Sequence, residues 1–275
     1  MILSGRKTTK KLSKRAISRA IPHHPWLKDL VILDEVDSTN TYARSLADRG
    51  ACEGTVVLAA RQTAGRGRMG RTFLSPAGGL YMSVILRPAA PPEQLLHLTA
   101  VVAAAVQRTV GSVCGVQAKI KWTNDLVCGE KKLCGILTES VVKPGAQAPD
   151  AVIVGIGINC DQTEFDPSIA DMATSIRLET GKAADRNALA ADLIHAMYAV
   201  SLTMMTHKEN WLRRFRENCM TVGRDVKLVR GEEVRIAHAD GIGENGELLV
   251  TCDDGTKEAI SSGEVSVRGM YGYTT

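Results

Sequence analysis

Four arginines fall within eleven residues at the start of "RQTAGRGRMGRTFLSPAGG" (residues 61–79): Arg61, Arg66, Arg68 and Arg71, interleaved with Gly65, Gly67 and Gly70. Guanidinium groups present planar forks of donors that match carboxylates and phosphates. Glycine lets a backbone approach a ligand closely and take positive φ. Like charges packed this densely, with no acid among them, repel one another and cannot be buried empty. The chemistry they fit is anion binding, with phosphate the first candidate; a solvated basic loop is the plainer alternative. The stretch also spells G-x-G-x-x-G. A dinucleotide turn of that form must follow a buried strand, open a helix and meet an acid about 20 residues later. "TVVLAA" (55–60) reads as the strand, but Ser75, Pro76, Gly78 and Gly79 stand where the helix is needed, and the first acid is Glu93. The dinucleotide reading is rejected.

Four more clusters carry candidate chemistry. "DSTN" (37–40) sets three small hydrogen-bonding side chains at a strand-to-helix turn, where helix capping is the simpler explanation. "KWTND" (121–125) joins a cation, an aromatic and two polar groups, or is a hairpin turn built on Asn124 and Asp125. "KKLCGIL" (131–137) has Lys132 leading an apolar strand with Gly135 inside it. An interior strand glycine marks either close approach by a ligand or backbone, or a bulge. "GIGIN" (155–159) places Gly155 and Gly157 in a buried strand that ends on Asn159.

The elements that must position these clusters are legible from periodicity. Strands are expected at 30–36, 55–60, 80–86, 118–122, 125–128, 132–140 and 151–160, with "GEKK" as a tight turn. Residues 37–50 read as a helix capped by Asp37 or Ser38, with Gly50 just past its end. Residues 92–111 form an Ala-rich helix, apolar nearly all round and therefore buried, and 186–219 is helical. After Gly223, "DVKLVRG", "EVRIAHADG", "GELLVTCDDG" and "EVSVRG" are short strands punctuated by turns, which suggests a small appended barrel. The fold class is α+β, with a predominantly antiparallel or mixed sheet in the main domain.

A chain of 275 residues with 44% apolar and 23% charged residues holds one large core plus a smaller domain. Aromatics at 4% leave little for a base-stacking platform. Cysteines 52, 114, 128, 134, 160, 219 and 252 are odd in number and never C-x-x-C, which favours reduced thiols in a cytoplasm. Cys128 and Cys134 flank a turn and are placed to face each other across a hairpin. There is no H-E-x-x-H, no secretory h-region and no apolar run read as long enough to span a bilayer. Net charge is +4, and residues 1–20 carry seven Lys/Arg and no acid. Leu12, Ala16, Ile17, Ala20 and Ile21 can form a narrow helical stripe there. The arm is read as a solvated or loosely docked tail, against a nucleic-acid-binding arm or a transit-like segment.

The order S-T-N, Q-x-x-G-R-G-R-x-G-R, S-P-x-G-G-L-Y, K-W-x-N-D, K-L-x-G-I-L-x-E and G-x-G-I-N, followed by a small barrel, resembles the biotin–protein ligases over residues from about 31 to 268. The resemblance implies a catalytic domain related to class II aminoacyl-tRNA synthetases plus an SH3-like barrel: a basic arm at 1–28, the catalytic domain at 29–222 and the barrel at 223–275. It implies adenylation of biotin by ATP, then transfer to a lysine of a biotin carrier domain, that of acetyl-CoA carboxylase by default. By position, Ser38, Thr39, Asn40 and Gln62 line the biotin head-group site. Gly65, Arg66, Gly67 and Arg68 close over the tail and phosphates, and Lys132 meets the carboxylate or the acyl-phosphate oxygen. Gly135, Ile136, Leu137 and Gly155 pack on the tail. Arg68, Arg71, Phe73, Lys121, Asn124, Asp125 and Asn159 serve ATP or the adenylate, Asp125 through Mg²⁺. The catalytic set is Arg66, Arg68, Lys121 and Lys132. Phe73 stands where many members carry a tryptophan, and Thr123 where most carry a proline. The residues before the core are too few for the winged helix of bifunctional members, so a cytoplasmic ligase without repressor function or specific DNA binding is expected; homodimerisation stays open. The glycines and crowded cations give the loop little to pack against, so it is expected to be mobile without ligand. The rivals are a lipoate or octanoate ligase or transferase, a nucleic-acid-binding protein, and a biotin-binding module without catalysis.

Overall fold

In the computed structural model, which describes residues 11–230, 232–261 and 264–267, seven apolar runs pair as strands. They are β1 (Leu30–Leu33), β2 (Val56–Ala59), β3 (Leu80–Leu86), β4 (Lys119–Lys121), β5 (Asp125–Cys128), β6 (Lys131–Val141) and β7 (Ala151–Ile158). Their order is β1-β2-β3-β7-β6-β5-β4. The β1 and β2 pair is parallel and is joined through helix α2 (Thr39–Asp48); the other neighbours are antiparallel. The sheet is therefore mixed.

Strand alternation sorts its two faces. Leu80, Met82, Val84 and Leu86 of β3, with Val152, Val154, Ile156 and Ile158 of β7, belong to the larger core. Helices α3 (Leu98–Cys114) and α5 (Arg186–Thr203) pack on that side. On the other face Val57, Ile85, Val141 and Ile153 meet Ala43 and Ala47 of α2. That helix covers only part of the face, and the uncovered part becomes the site.

Several expectations are corrected. The helical run Pro92–Cys114 spans 23 residues and is long and apolar enough to cross a bilayer by length and composition; most of its apolar stretch is buried in the core, and the helix packs against α5 and α6 (Lys208–Asn218). The segment 186–219 is two helices, α5 and α6, separated by a turn at 204–207. The arm is docked from residue 11 onward: α1 (Lys14–Ala20) packs on α5, with Leu12 and Ile17 buried. Asn187 clasps it by accepting from Ser13 N–H at 2.8 Å and donating to Lys11 O at 3.1 Å. The arm's first ten residues lie outside the described ones. Cys128 and Cys134 do not face each other. A register shift after Leu126 sets Cys128 opposite Lys131 and Cys134 opposite Leu126. All seven cysteines are free.

The C-terminal strands make an antiparallel sheet ordered β11-β10-β9-β8-β12 from β8 (Asp225–Arg230), β9 (Glu233–Ile242), β10 (Leu248–Cys252), β11 (Lys257–Ile260) and β12 (Glu264–Val267). Strand β11 is not among those expected from the turn spacing. Residues 268 and 269 of the expected last strand lie outside the described residues. Val226, Ala237, Ile242, Leu248 and Val250 join the large core, so the two sheets share one apolar interior. Trp122 Nε1 donates to Gly246 O at 2.9 Å, anchoring the "KWTND" turn to this second sheet.

Candidate active site

The site begins where β1 turns into α2. Ser38 caps the helix, accepting from Thr41 N–H at 3.5 Å, and also lines the cavity. The next two side chains aim at β3 and β6. Gln62 Oε1 accepts from Thr39 N–H at 2.8 Å and lies 3.0 Å from Thr39 Oγ1, while its Nε2 donates to Ser75 Oγ at 2.8 Å. Ser83 Oγ lies 2.8 Å from Thr39 Oγ1 and 2.6 Å from Asn40 Oδ1. Asn40 Nδ2 donates to Glu139 Oε2 at 2.8 Å. The carboxylate accepts only, which fixes the Asn40 amide with its oxygen toward Ser83. Two hydroxyl protons, of Thr39 and Ser83, thus serve three close O···O contacts. This end of the cavity has acceptor capacity to spare for a ligand bearing N–H groups.

The floor is bare strand backbone. Gly135 of β6 pairs with Gly157 of β7, and Gly155 pairs with Leu137. A Cβ at Gly157 would come within 2.6 Å of the Phe73 ring, and one at Gly155 would strike Asn40. Phe73 lies edge-on to Tyr81 at 6.5 Å, with Lys132 Nζ 5.7 Å from its ring centre. Ser38, Gln62, Arg66 and Leu137 complete the lining of the resulting cleft.

Beyond Phe73 a second cavity opens, lined by Met69, Arg71, Thr72, Lys121, Trp122 and Asp125. Gly67, Arg68, Phe73, Asn124 and Lys132 line both cavities and form their common wall. Arg68 Nη1 donates to Asn124 Oδ1 at 3.2 Å, and Asn124 Nδ2 donates to Ile136 O at 2.9 Å. Burial pushes the Arg68 pKa down from its ordinary value, with Asp125 opposing the shift; a guanidinium stays charged at neutral pH regardless. Lys132 Nζ is 2.8 Å from Asp125 Oδ1, and Arg66 Nη2 is 3.1 Å from Glu139 Oε1. The loop therefore has partners, contrary to the expectation that it has little to pack against. Its backbone also closes on itself through Gly67 N–H to Arg71 O and Phe73 N–H to Gly65 O. No helix follows it, in keeping with rejection of the dinucleotide turn.

The sequence model of the Biotin/lipoate A/B protein ligase family matches residues 32–159, and that of the biotin protein ligase C-terminal domain matches residues 221–268. A Bacillus spizizenii protein described as bifunctional ligase/repressor BirA is 33% identical over 256 residues, covering 92% of this chain and 78% of its own. A Paracoccus denitrificans biotin–[acetyl-CoA-carboxylase] ligase is 32% identical over 250 residues, covering 86% of this chain and 100% of its own. The chain belongs to the biotin protein ligase family. The solved Aquifex aeolicus biotin protein ligase in complex with biotin and ATP superposes with a TM-score of 0.74 at 33% identity, covering 88% of this chain and 99% of that one. This biotin protein ligase is accordingly a ligase enzyme.

Most residues singled out in the sequence converge on these two cavities. Three of those that line neither are held by other contacts. Arg61 pairs with Glu35 at 3.0 Å, apart from the other arginines. Gly65 lets the chain pass close to Phe73 O and Ser75 Oγ. Asn159 is buried, and its Nδ2 donates to Thr174 O at 3.0 Å, tying the end of β7 to the segment that pairs with Lys132. Ser83, Glu139 and Tyr81 received no role from the sequence. Ser83 had a signal, being the one aliphatic hydroxyl in the apolar strand "LYMSVIL"; Glu139 follows Gly135 and Leu137 at period two, on the same face.

The resemblance implies Mg²⁺ at Asp125. That carboxylate is already paired with Lys132, and no three His, Cys, Asp or Glu side chains gather to hold an ion among the described residues. The donor set does not fit a resident metal. Mg²⁺ commonly keeps most of its ligands as phosphate oxygens and waters.

Proposed function

We propose that the protein activates biotin with ATP as biotinyl-5′-AMP and transfers the biotinyl group to a lysine of a biotin carrier domain, that of acetyl-CoA carboxylase or another biotin-dependent carboxylase. The observation that carries this reading is the wall shared by the two cavities. Biotin in the first and ATP in the second would meet at Arg68 and Lys132. A biotin carboxylate oxygen attacks the α-phosphorus and pyrophosphate leaves. The neutral amine of the carrier lysine then attacks the acyl carbon, AMP leaves, and the nitrogen loses its proton. Joining a carboxylate to a triphosphate brings together about five negative charges, so preorganised cations are the main requirement. Arg66, Arg68, Lys121 and Lys132 meet it. Each charge-assisted hydrogen bond contributes about 1.5–3 kcal/mol, and several together are a sizeable share of the roughly 8–23 kcal/mol by which enzymes lower barriers. Excluding water from this junction strengthens each of them and protects the adenylate from hydrolysis.

The polar end favours biotin over lipoate or octanoate. A ureido ring brings two N–H donors and one carbonyl to a network with spare acceptors, whereas a dithiolane or a methyl end would leave those groups unpaired. Gly135, Leu137 and Gly155 pass the valeryl tail along the floor. Phe73 and Arg71 flank the adenylate, and Asn124 holds Arg68 at the junction. We read the larger domain as related to class II aminoacyl-tRNA synthetases and the C-terminal sheet as SH3-like, in a cytoplasmic enzyme. The adenylation half is tested by ATP–pyrophosphate exchange with single acids. Exchange that depends on biotin is expected; exchange driven by lipoate or octanoate and not by biotin would sink the reading.

A further inference from the structure

One side chain joins the two ends of the site without lining either cavity. Glu139 of β6 holds Asn40 Nδ2 on Oε2 at 2.8 Å and Arg66 Nη2 on Oε1 at 3.1 Å. Its side chain is 21% exposed and that of Arg66 is 51% exposed. Asn40 belongs to the polar end of the first cavity and Arg66 to the loop that closes over it. We propose that Glu139 is a positioning residue that couples the loop to head-group recognition: one carboxylate fixes the orientation of the Asn40 amide and parks Arg66 at the mouth of the cavity. The proposal rests on the biotin reading for its ligand, but not for the latch itself.

The two contacts make different demands on position 139. The amide of Asn40 needs an acceptor, and only a full acceptor forces its oxygen toward Ser83 and the cavity. Without it, Leu137 O at 3.4 Å is the acceptor that remains for Asn40 Nδ2, and the amide can turn over. Arg66 needs the charge. Glu139→Gln keeps an acceptor for Asn40 while turning its own N–H₂ toward the guanidinium, donor against donor. Glu139→Ala removes both contacts. A group that merely supported β6 would not separate these two variants.

The experiment reads wild type, E139Q and E139A in two ways. Tryptic cleavage within residues 66–71 of the ligand-free protein reports the latch whichever acid the site takes. Calorimetric titration with biotin alone reports the amide. We expect cleavage severalfold faster in both variants, biotin affinity down tenfold or more in E139A, and no more than threefold in E139Q. In an Arg66→Gln background the effect of E139Q on cleavage should vanish, as a double-mutant cycle requires of a direct pair. Cleavage at wild-type rates in both variants overturns the latch. Equal biotin affinity in E139A and wild type, or equal loss in E139A and E139Q, overturns the coupling to Asn40. If the wild type binds no biotin, the biotin reading fails, and the cleavage rates still decide the latch.

Discussion

Gly155→Ala adds one methyl group at the point where the cavity is least able to absorb it. A Cβ there would fall on the Asn40 side chain, 2.8 Å from Cγ and 3.0 Å from Nδ2. Gly155 cannot retreat, because its backbone is paired with Ser83 on one side and Leu137 on the other. Its φ is not in the left-handed region, so alanine brings no backbone strain and orders the strand by about 0.5–1 kcal/mol. Asn40 must therefore move. It loses the bond from Ser83 at 2.6 Å, a neutral contact of about 0.5–1.5 kcal/mol, and the bond to Glu139 at 2.8 Å, a charged one of about 1.5–3 kcal/mol. The sum, about 2–4.5 kcal/mol, is divided between folding and ligand affinity; at 1.4 kcal/mol per factor of ten it bounds the loss of biotin affinity at roughly 30- to 2,000-fold. Calorimetric titration with biotin, run beside a thermal melt, separates the two shares. A dissociation constant within threefold of wild type, with an unchanged melting temperature, would refute the steric argument and the place given to Asn40.

Arg68→Gln should lower kcat/KM for ATP by about 10- to 150-fold, the worth of one charged hydrogen bond, with a smaller change in biotin affinity; pyrophosphate release measures it. Arg87 donates to Ala47 O and Ala51 O at the end of α2, far from the chemistry. Arg87→Met takes both side-chain donors from Ala51 O and leaves Ala47 O with the Gly50 N–H alone, and should destabilise the fold by about 2–4 kcal/mol in denaturant titration, while the adenylation rate per folded molecule is unchanged. His97 is buried with Nε2 3.0 Å from Met204 O, and burial lowers its pKa below 6.5, with the Met204 bond opposing and Lys208 assisting. The unfolded chain takes up that proton first, so the contribution is complete above about pH 6.5 and is lost as pH falls through the lower folded value. His97→Gln should flatten the decline in stability between pH 7 and 5; an unaltered slope would contradict the assignment. His24, also lowered by burial and by His195, keeps the residual slope above zero.

What could be read from the chain and what could not divide along a physical line. Strand alternation and glycine placement are local, and they announced β3, β6, β7 and the bare floor at Gly135, Gly155 and Gly157. Caps are local as well, so Ser38 was visible at the head of α2. The break between α5 and α6 was hidden because "TMMTHKEN" contains neither glycine nor proline. Strand β11, "KEAI", is too short and polar to show a period on its own. The partners of the loop lie far along the chain, Asn124 for Arg68 and Glu139 for Arg66, and only sheet register brings them to the mouth of the cavity. The apolar stripe of α1 was legible, but its dock on α5 depends on where a helix some 170 residues later comes to rest.

The central claim is that this protein moves a biotinyl group onto a carrier lysine, and the most direct measurement is the intact mass of a purified biotin carrier domain. The domain would be incubated with the enzyme, ATP and Mg²⁺, with biotin, lipoate and octanoate at equal concentration. The account predicts a single biotin-sized increment that disappears when the acceptor lysine is replaced. A lipoyl or octanoyl increment would contradict the pocket, and no increment beside demonstrable biotin binding would contradict the catalysis.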